Sequence, residues 1–129
     1  NWYAVVDQRG ICPTGWHIPS ISEFTTLSNY LGGMSIAGGK MKEIGLVHWA
    51  SPNTGATNSS GFTDLPGGFR YYSGSFSSIG IISQLWTSTE GTSILAHATG
   101  TASNSASLGF SGGSGIYKTS GSSCRCIKD

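Results

Sequence analysis

Charge is scarce in this sequence. Its 129 residues hold seven Lys and Arg and six Asp and Glu, 10% of the chain, for a net charge of +1. An average soluble domain carries roughly 25% charged residues. So thin a positive charge excludes a polyanion-binding surface, which needs clustered Lys and Arg, and no nucleic-acid partner is expected. Long apolar runs are missing too. None approaches the roughly 20 residues that a membrane-spanning helix requires, so no membrane insertion is expected. Metal-ligand spacing is also lacking. His17, His48 and His97 lie far apart, and no His-Glu-x-x-His or Cys-x-x-Cys pattern occurs. The six acids, Asp7, Glu23, Glu43, Asp64, Glu90 and Asp129, show no paired spacing that would suit a carboxylate hydrolase. Neither metal nor cofactor is expected, and no catalytic residue is assigned.

What the chain does contain is small and hydroxylated. It has 20 Gly, 22 Ser and 12 Thr. Four Trp, five Tyr and five Phe argue against disorder, which is poor in aromatics. One compact domain over residues 1–129 is expected. Its exposed layer must be mostly hydroxyls, amides and backbone, a surface associated with secreted β-rich proteins, carbohydrate-facing modules and filament subunits. Cys12 stands near one end, Cys124 and Cys126 near the other. A bridge from Cys12 to either partner closes a loop of more than 110 residues, worth on the order of 4–5 kcal/mol in the chain-entropy model. It implies an oxidising compartment, and one Cys is left over. The alternative is three buried thiols in a cytosolic protein. The chain opens on Asn1 and directly on strand-like residues, the pattern expected of a piece of a longer secreted protein.

Residues 2–6, aromatic and β-branched, read as a strand. Residues 12–19 hold too much Pro and Gly for a helix. Ser20 and Glu23 form a capping box, and Phe24, Leu27 and Leu31 follow at helical spacing until Gly32-Gly33. A second short helix is predicted over 37–44, with Met41 and Ile44 facing the core. Residues 51–58 read as an irregular loop. Strands are predicted around 81–88, 94–98, 108–110 and 123–128. Cys124 and Cys126 then share one strand face. Strand, helices, loops and strands in that order make an α+β plan with an antiparallel sheet.

At this level of detail the chain resembles a known family. Asn1-Trp2-Tyr3-Ala4-Val5, Cys12-Pro13-Thr14-Gly15-Trp16-His17-Ile18-Pro19-Ser20 leading into Glu23-Phe24 and Leu27, and Ala37-Gly38-Gly39-Lys40-Met41-Lys42-Glu43 carry the likeness. Ser51-Pro52-Asn53-Thr54-Gly55-Ala56-Thr57-Asn58, Gly61-Phe62, Leu65-Pro66-Gly67-Gly68-Phe69-Arg70, Trp86-Thr87-Ser88-Thr89-Glu90 and Arg125-Cys126-Ile127-Lys128-Asp129 continue it. They resemble the Fibrobacter succinogenes major paralogous domain, a secreted bacterial module. The resemblance implies a C-type-lectin-like fold: a twisted antiparallel sheet, two short helices and long irregular loops. It also implies terminal strands brought together and a bridge between Cys12 and Cys126. Cys124 stands where the family usually has Val, and is the unpaired or alternative cysteine. The same fold carries formylglycine-generating enzymes, but their catalytic cysteine pair has no counterpart here.

Residues 1–90 and 123–129 read as scaffold. Residues 91–122 depart from relatives that are rich in Asn, Tyr and Arg there; over 91–117 no side chain is charged and 19 of 27 residues are Gly, Ala, Ser or Thr. The expected function is a secreted or cell-surface, non-catalytic binding or adhesion domain. Its glycan or protein ligand would meet the loops and the 91–120 surface, through Tyr72, His97, Thr99, Thr101, Asn104, Ser107, Phe110 and Tyr117. The competing expectation is a subunit of an extracellular filament or surface assembly that self-associates through 91–117. Ser51-Pro52-Asn53 and Trp86-Thr87-Ser88 lack the carboxylates of calcium-dependent lectin loops, so sugar binding of that kind is not expected. Gly112-Gly113-Ser114-Gly115 lacks the Lys and helix of a phosphate loop and reads as a turn. Trp86 is assigned to the core, Glu90 to a backbone amide or a lysine, and at most one of Tyr71 and Tyr72 to the surface.

Overall fold

The computed structural model describes residues 1–129. It is an α+β domain of three short helices and antiparallel sheets. The chain begins with α1 (Trp2–Val5), where a strand was expected. The reason is local and tertiary at once. Asn1 caps the turn, its side-chain oxygen accepting from the Ala4 N–H. One helical turn also puts Trp2 and Val5 on the same side, where both pack against Trp86, Ala96 and Ala98. The intrinsic strand preference of Trp, Tyr and Val yields to that burial.

A two-residue strand, β1 (Trp16–His17), precedes α2 (Ile21–Tyr30). The capping box is present in both directions: the Ser20 hydroxyl accepts from the Glu23 N–H, and the Glu23 carboxylate accepts from the Ser20 N–H at 2.8 Å. Helix α3 (Met34–Met41) starts and ends about three residues before the stretch expected for it. Ile44 lies beyond it and is exposed, whereas Met41 is fully buried. Gly38 and Gly39 explain why this helix tolerates two weak helix formers. A Cβ on Gly38 would overlap the Ser107 carbonyl, and one on Gly39 the Gly55 carbonyl. The helix therefore lies directly on the backbone of two loops.

Two small strands, β2 (Phe69–Arg70) and β3 (Phe76–Ser77), pair across a turn. Tyr71 and Tyr72 lie beyond β2 in that turn, so strand alternation does not apply and both are exposed. The main sheet is the long hairpin of β4 (Ile82–Glu90) and β5 (Leu95–Ala102), with Ile82 opposite Ala102 and Trp86 opposite Ala98. β6 (Gly109–Phe110) and β7 (Ile116–Tyr117) pair with the far edge of β5. The outer edge of β4 meets Gly68 and Ser123. Residues 91–117 thus supply the central strand of the sheet, and the strands expected around 94–98 and 108–110 correspond to β5 and β6. The last strand, β8 (Ile127–Lys128), is shorter than the expected 123–128 and pairs with β1.

Adjacent residues of β4 point to opposite faces, so the sheet separates two cores. Leu85 joins Phe24, Leu31, Ala37, Met41 and Leu108. Trp86, nearly fully buried as expected, joins Trp2, Ala96 and Ala98. A disulfide closes the chain between Cys12 and Cys126, and Cys124 is free and exposed. Because only 127–128 continue as strand, Cys124 does not share a strand face with Cys126. No helix is long and apolar enough to cross a membrane.

Candidate functional site

The small-residue segment and β4 together form a groove. Gln84 lies opposite Gly100, Ile82 opposite Ala102 and Trp86 opposite Ala98, so these side chains share one face of the hairpin. Helix α1 covers this face at Trp86 and Ala98. Beyond that cover the face opens into a cavity of about 320 Å³ lined by Ile82, Gln84, Ala98, Gly100 and Ala102, with Ser105, Ser107, Gly109, Phe110 and Ser111 around them. Gly100 is required there, because a Cβ would overlap the Ser83 carbonyl. The Gln84 Oε1 is buried and accepts no hydrogen bond, an uncompensated acceptor in the wall of an otherwise small and apolar floor.

The groove gathers four of the eight residues expected at a ligand site and leaves out four. Thr99, Thr101, Ser107 and Phe110 line it. The hydroxyls of two of them serve the interior: Thr99 donates to the Gly109 carbonyl at 2.7 Å, and Thr101 to the Asp64 carboxylate at 2.7 Å. Asn104 is exposed outside the groove. His97 is half-buried, with its Nδ1 unpartnered, and also lies outside. Tyr72 and Tyr117 meet each other, ring centroids 4.5 Å apart, as a separate exposed aromatic pair. Gln84, Ile82 and Ser111 were not singled out from sequence. The period-2 alternation of Ile82-Ser83-Gln84-Leu85 carried the signal, because it sets Gln84 on the face opposite core Leu85.

Beneath the groove's far side lies a buried polar cluster. Lys42 is fully buried, and its ammonium donates to the carbonyls of Thr54, Ala102 and Ser105 at 3.0, 2.9 and 2.8 Å. It also lies 5.3 Å from the centroid of the Trp49 ring. Asp64 accepts from the Ser83 hydroxyl at 2.6 Å and from Thr101. Burial pushes the Lys42 ammonium down, opposed by the Asp64 charge, and the Asp64 carboxyl up, opposed by the Ser83 and Thr101 hydroxyls and then by the charges of Arg125 and Lys42. One cation thus binds the 51–58 loop to the end of β5. The Asn53 amide reinforces that loop, donating to the carbonyls of Glu43 and Gly45.

The remaining acids also have protein partners. Asp7 holds Arg9, Glu43 holds His48, and Glu90 holds Lys118, the lysine expected of it. Lys118 sits 4.7 Å from the Trp2 ring centroid and so fastens α1 to the sheet. His17 lies between two carboxylates, Nδ1 at 2.6 Å from Asp129 and Nε2 at 2.8 Å from Glu23. Asp129 first, then Glu23, raises its pKa. Glu23 is held down to about 2 by the Ser20 N–H and hydroxyl and then by His17. No group of three or more His, Cys, Asp or Glu is placed to hold a metal ion.

These features define a class: a disulfide-closed α+β domain whose irregular loops are fastened by buried polar side chains around one long hairpin. The chain belongs to the Fibrobacter succinogenes major domain family, whose sequence model matches residues 1–128. No curated protein and no solved structure matches it.

Proposed function

We propose that this chain is a non-catalytic binding domain displayed outside the cell, with a C-type-lectin-like fold and a glycan or protein ligand seated in the β4–β5–β6 groove. The observation that carries this reading is the unpartnered Gln84 Oε1 in a groove floored by Gly and Ala. A ligand donor that draws the Gln84 amide into the groove relieves a buried acceptor, and the missing side chains let the ligand approach the sheet closely. Chain ends joined by β1–β8 and a disulfide support the fold reading and an oxidising compartment. The test is a panel of immobilised glycans and extracellular proteins probed with the wild-type chain and with Ala102→Lys, which places a charged chain in the groove. Binding to a member of the panel, lost in Ala102→Lys with an unchanged circular-dichroism spectrum, supports the reading. Binding that survives the substitution, or no binding at all, overturns it.

A second reading, a subunit of an extracellular assembly, is favoured by a different surface. Val47 and Ile79, 82% and 81% exposed, line an open cavity with Leu65. Exposed apolar groups gathered in this way mark protein contacts. Light scattering over a concentration series distinguishes the two: assembly that weakens on Val47→Lys supports a subunit, and a persistent monomer removes it.

A further inference from the structure

A second cavity, which shares no lining residue with the β4–β5–β6 groove, lies between α2 and the disulfide-bonded end of the chain. Its volume is about 330 Å³, at the lower end of the ~300–1,000 Å³ of small-ligand sites. Phe24, Leu27, Phe62 and Ile127 make its apolar wall. Two charged groups also line it. Glu23 is fully engaged: one carboxylate oxygen faces His17 Nε2 at 2.8 Å, and the other accepts from the Ser20 N–H and hydroxyl at 2.8 and 2.7 Å. The Arg125 side chain makes no hydrogen bond, although its charge helps hold the buried Asp64 carboxyl down. Its guanidinium lies 4.6 Å from the Phe62 ring centroid and makes no ion pair with any carboxylate of the chain.

The place of Arg125 over the Phe62 ring leaves the guanidinium donors open, the fork that recognises a carboxylate. The walls are held by the α2 capping box on one side and by the Cys12–Cys126 bridge on the other, so the cavity exists before a ligand arrives. We infer that this cavity binds a small carboxylic acid with an apolar body of about phenyl size, its ring against Leu27 and Phe62 and its carboxylate on Arg125. The inference is independent of the ligand assigned to the hairpin groove.

The test is a titration of the intact chain followed by amide chemical shifts, with 3-phenylpropanoate as probe and 3-phenylpropanol as its uncharged match. Saturable shifts at Phe62 and Ile127 are expected from both, with the acid about tenfold tighter. Arg125→Gln, at an exposed position, erases that preference, and Leu27→Trp fills the cavity and removes the shifts altogether. Absence of saturation, equal affinities for acid and alcohol, or a preference that survives Arg125→Gln overturns the inference. So do shifts that map to Gln84 and Gly100 instead.

Discussion

The two faces of the β4–β5 hairpin share one backbone and have opposite surroundings. On one face Ser83, Leu85, Thr99 and Thr101 meet α2, α3 and Asp64, and the hydroxyls of Ser83, Thr99 and Thr101 all have a partner. On the other, α1 covers Trp86 and Ala98, and then the cover stops. Gln84 and Gly100 lie past that limit with a buried oxygen unpartnered. The strand hydroxyls of the first face are satisfied, and the Gln84 oxygen of the second is not. The difference shows that small residues in β5 serve two needs. Gly100 and the neighbouring Gly115 admit close backbone approach, and the same lack of side chains leaves the groove empty.

Substitutions and conditions that act on one face at a time break this comparison. Reduction of the Cys12–Cys126 bridge acts on both. With the cysteines 114 positions apart it lowers stability by about 4–5 kcal/mol, read as the urea midpoint with and without reductant. Lys42→Met strikes the satisfied face alone. It strips the carbonyls of Thr54, Ala102 and Ser105 of their donor and costs about 3–5 kcal/mol by urea denaturation. Gln84→Leu strikes the open face and has the opposite sign. It removes an uncompensated buried acceptor, so stability is unchanged or rises by up to about 1 kcal/mol, while ligand binding in the groove is lost. A destabilisation as large as that of Lys42→Met would make Gln84 part of the interior and erase the distinction.

The smallest effect lies outside the sheet, at His17. Its pKa is raised, so its contribution to stability is complete below 6.5 and is lost as pH climbs through the raised value. Glu23 is depressed to about 2, so its contribution is complete above 4.5 and is lost as pH falls towards 2. Thermal melting against pH for wild type and His17→Gln tests both signs. The variant loses the alkaline slope and keeps most of the acid one, because Ser20 rather than His17 is the larger hold on Glu23.

Legibility in the sequence followed the range of the interaction. The α2 capping box and the core position of Trp86 are readable from residue type and spacing, whereas for Glu90 the sequence leaves a backbone amide and a lysine open and the fold selects Lys118. The N-terminal helix is not readable, because Trp2, Tyr3 and Val5 favour a strand until Trp86 is packed against them. Lys42 and Asp64 are 22 positions apart and look like ordinary surface charges. Only their burial beside Ser83, Thr101 and three loop carbonyls gives them a role. Of the expected ligand residues, Thr99 and Thr101 lie in β5 beyond the end of the strand expected at 94–98, and their hydroxyls turn inward.

By itself the sequence determined the class: a low-charge α+β domain with a disulfide from Cys12 to the chain's end and one firmly capped helix. Those follow from composition, from capping chemistry within four residues and from a family likeness that spans nearly the whole chain. The tertiary structure decided that β5, within the uncharged 91–117 segment, takes the central place between β4 and β6. It also left the Gln84 oxygen, like the His97 Nδ1, without a protein partner, and the Arg125 side chain without a hydrogen bond. The physical reason is that satisfaction of a buried or stacked polar group depends on what arrives from distant parts of the chain, and no local spacing encodes that arrival.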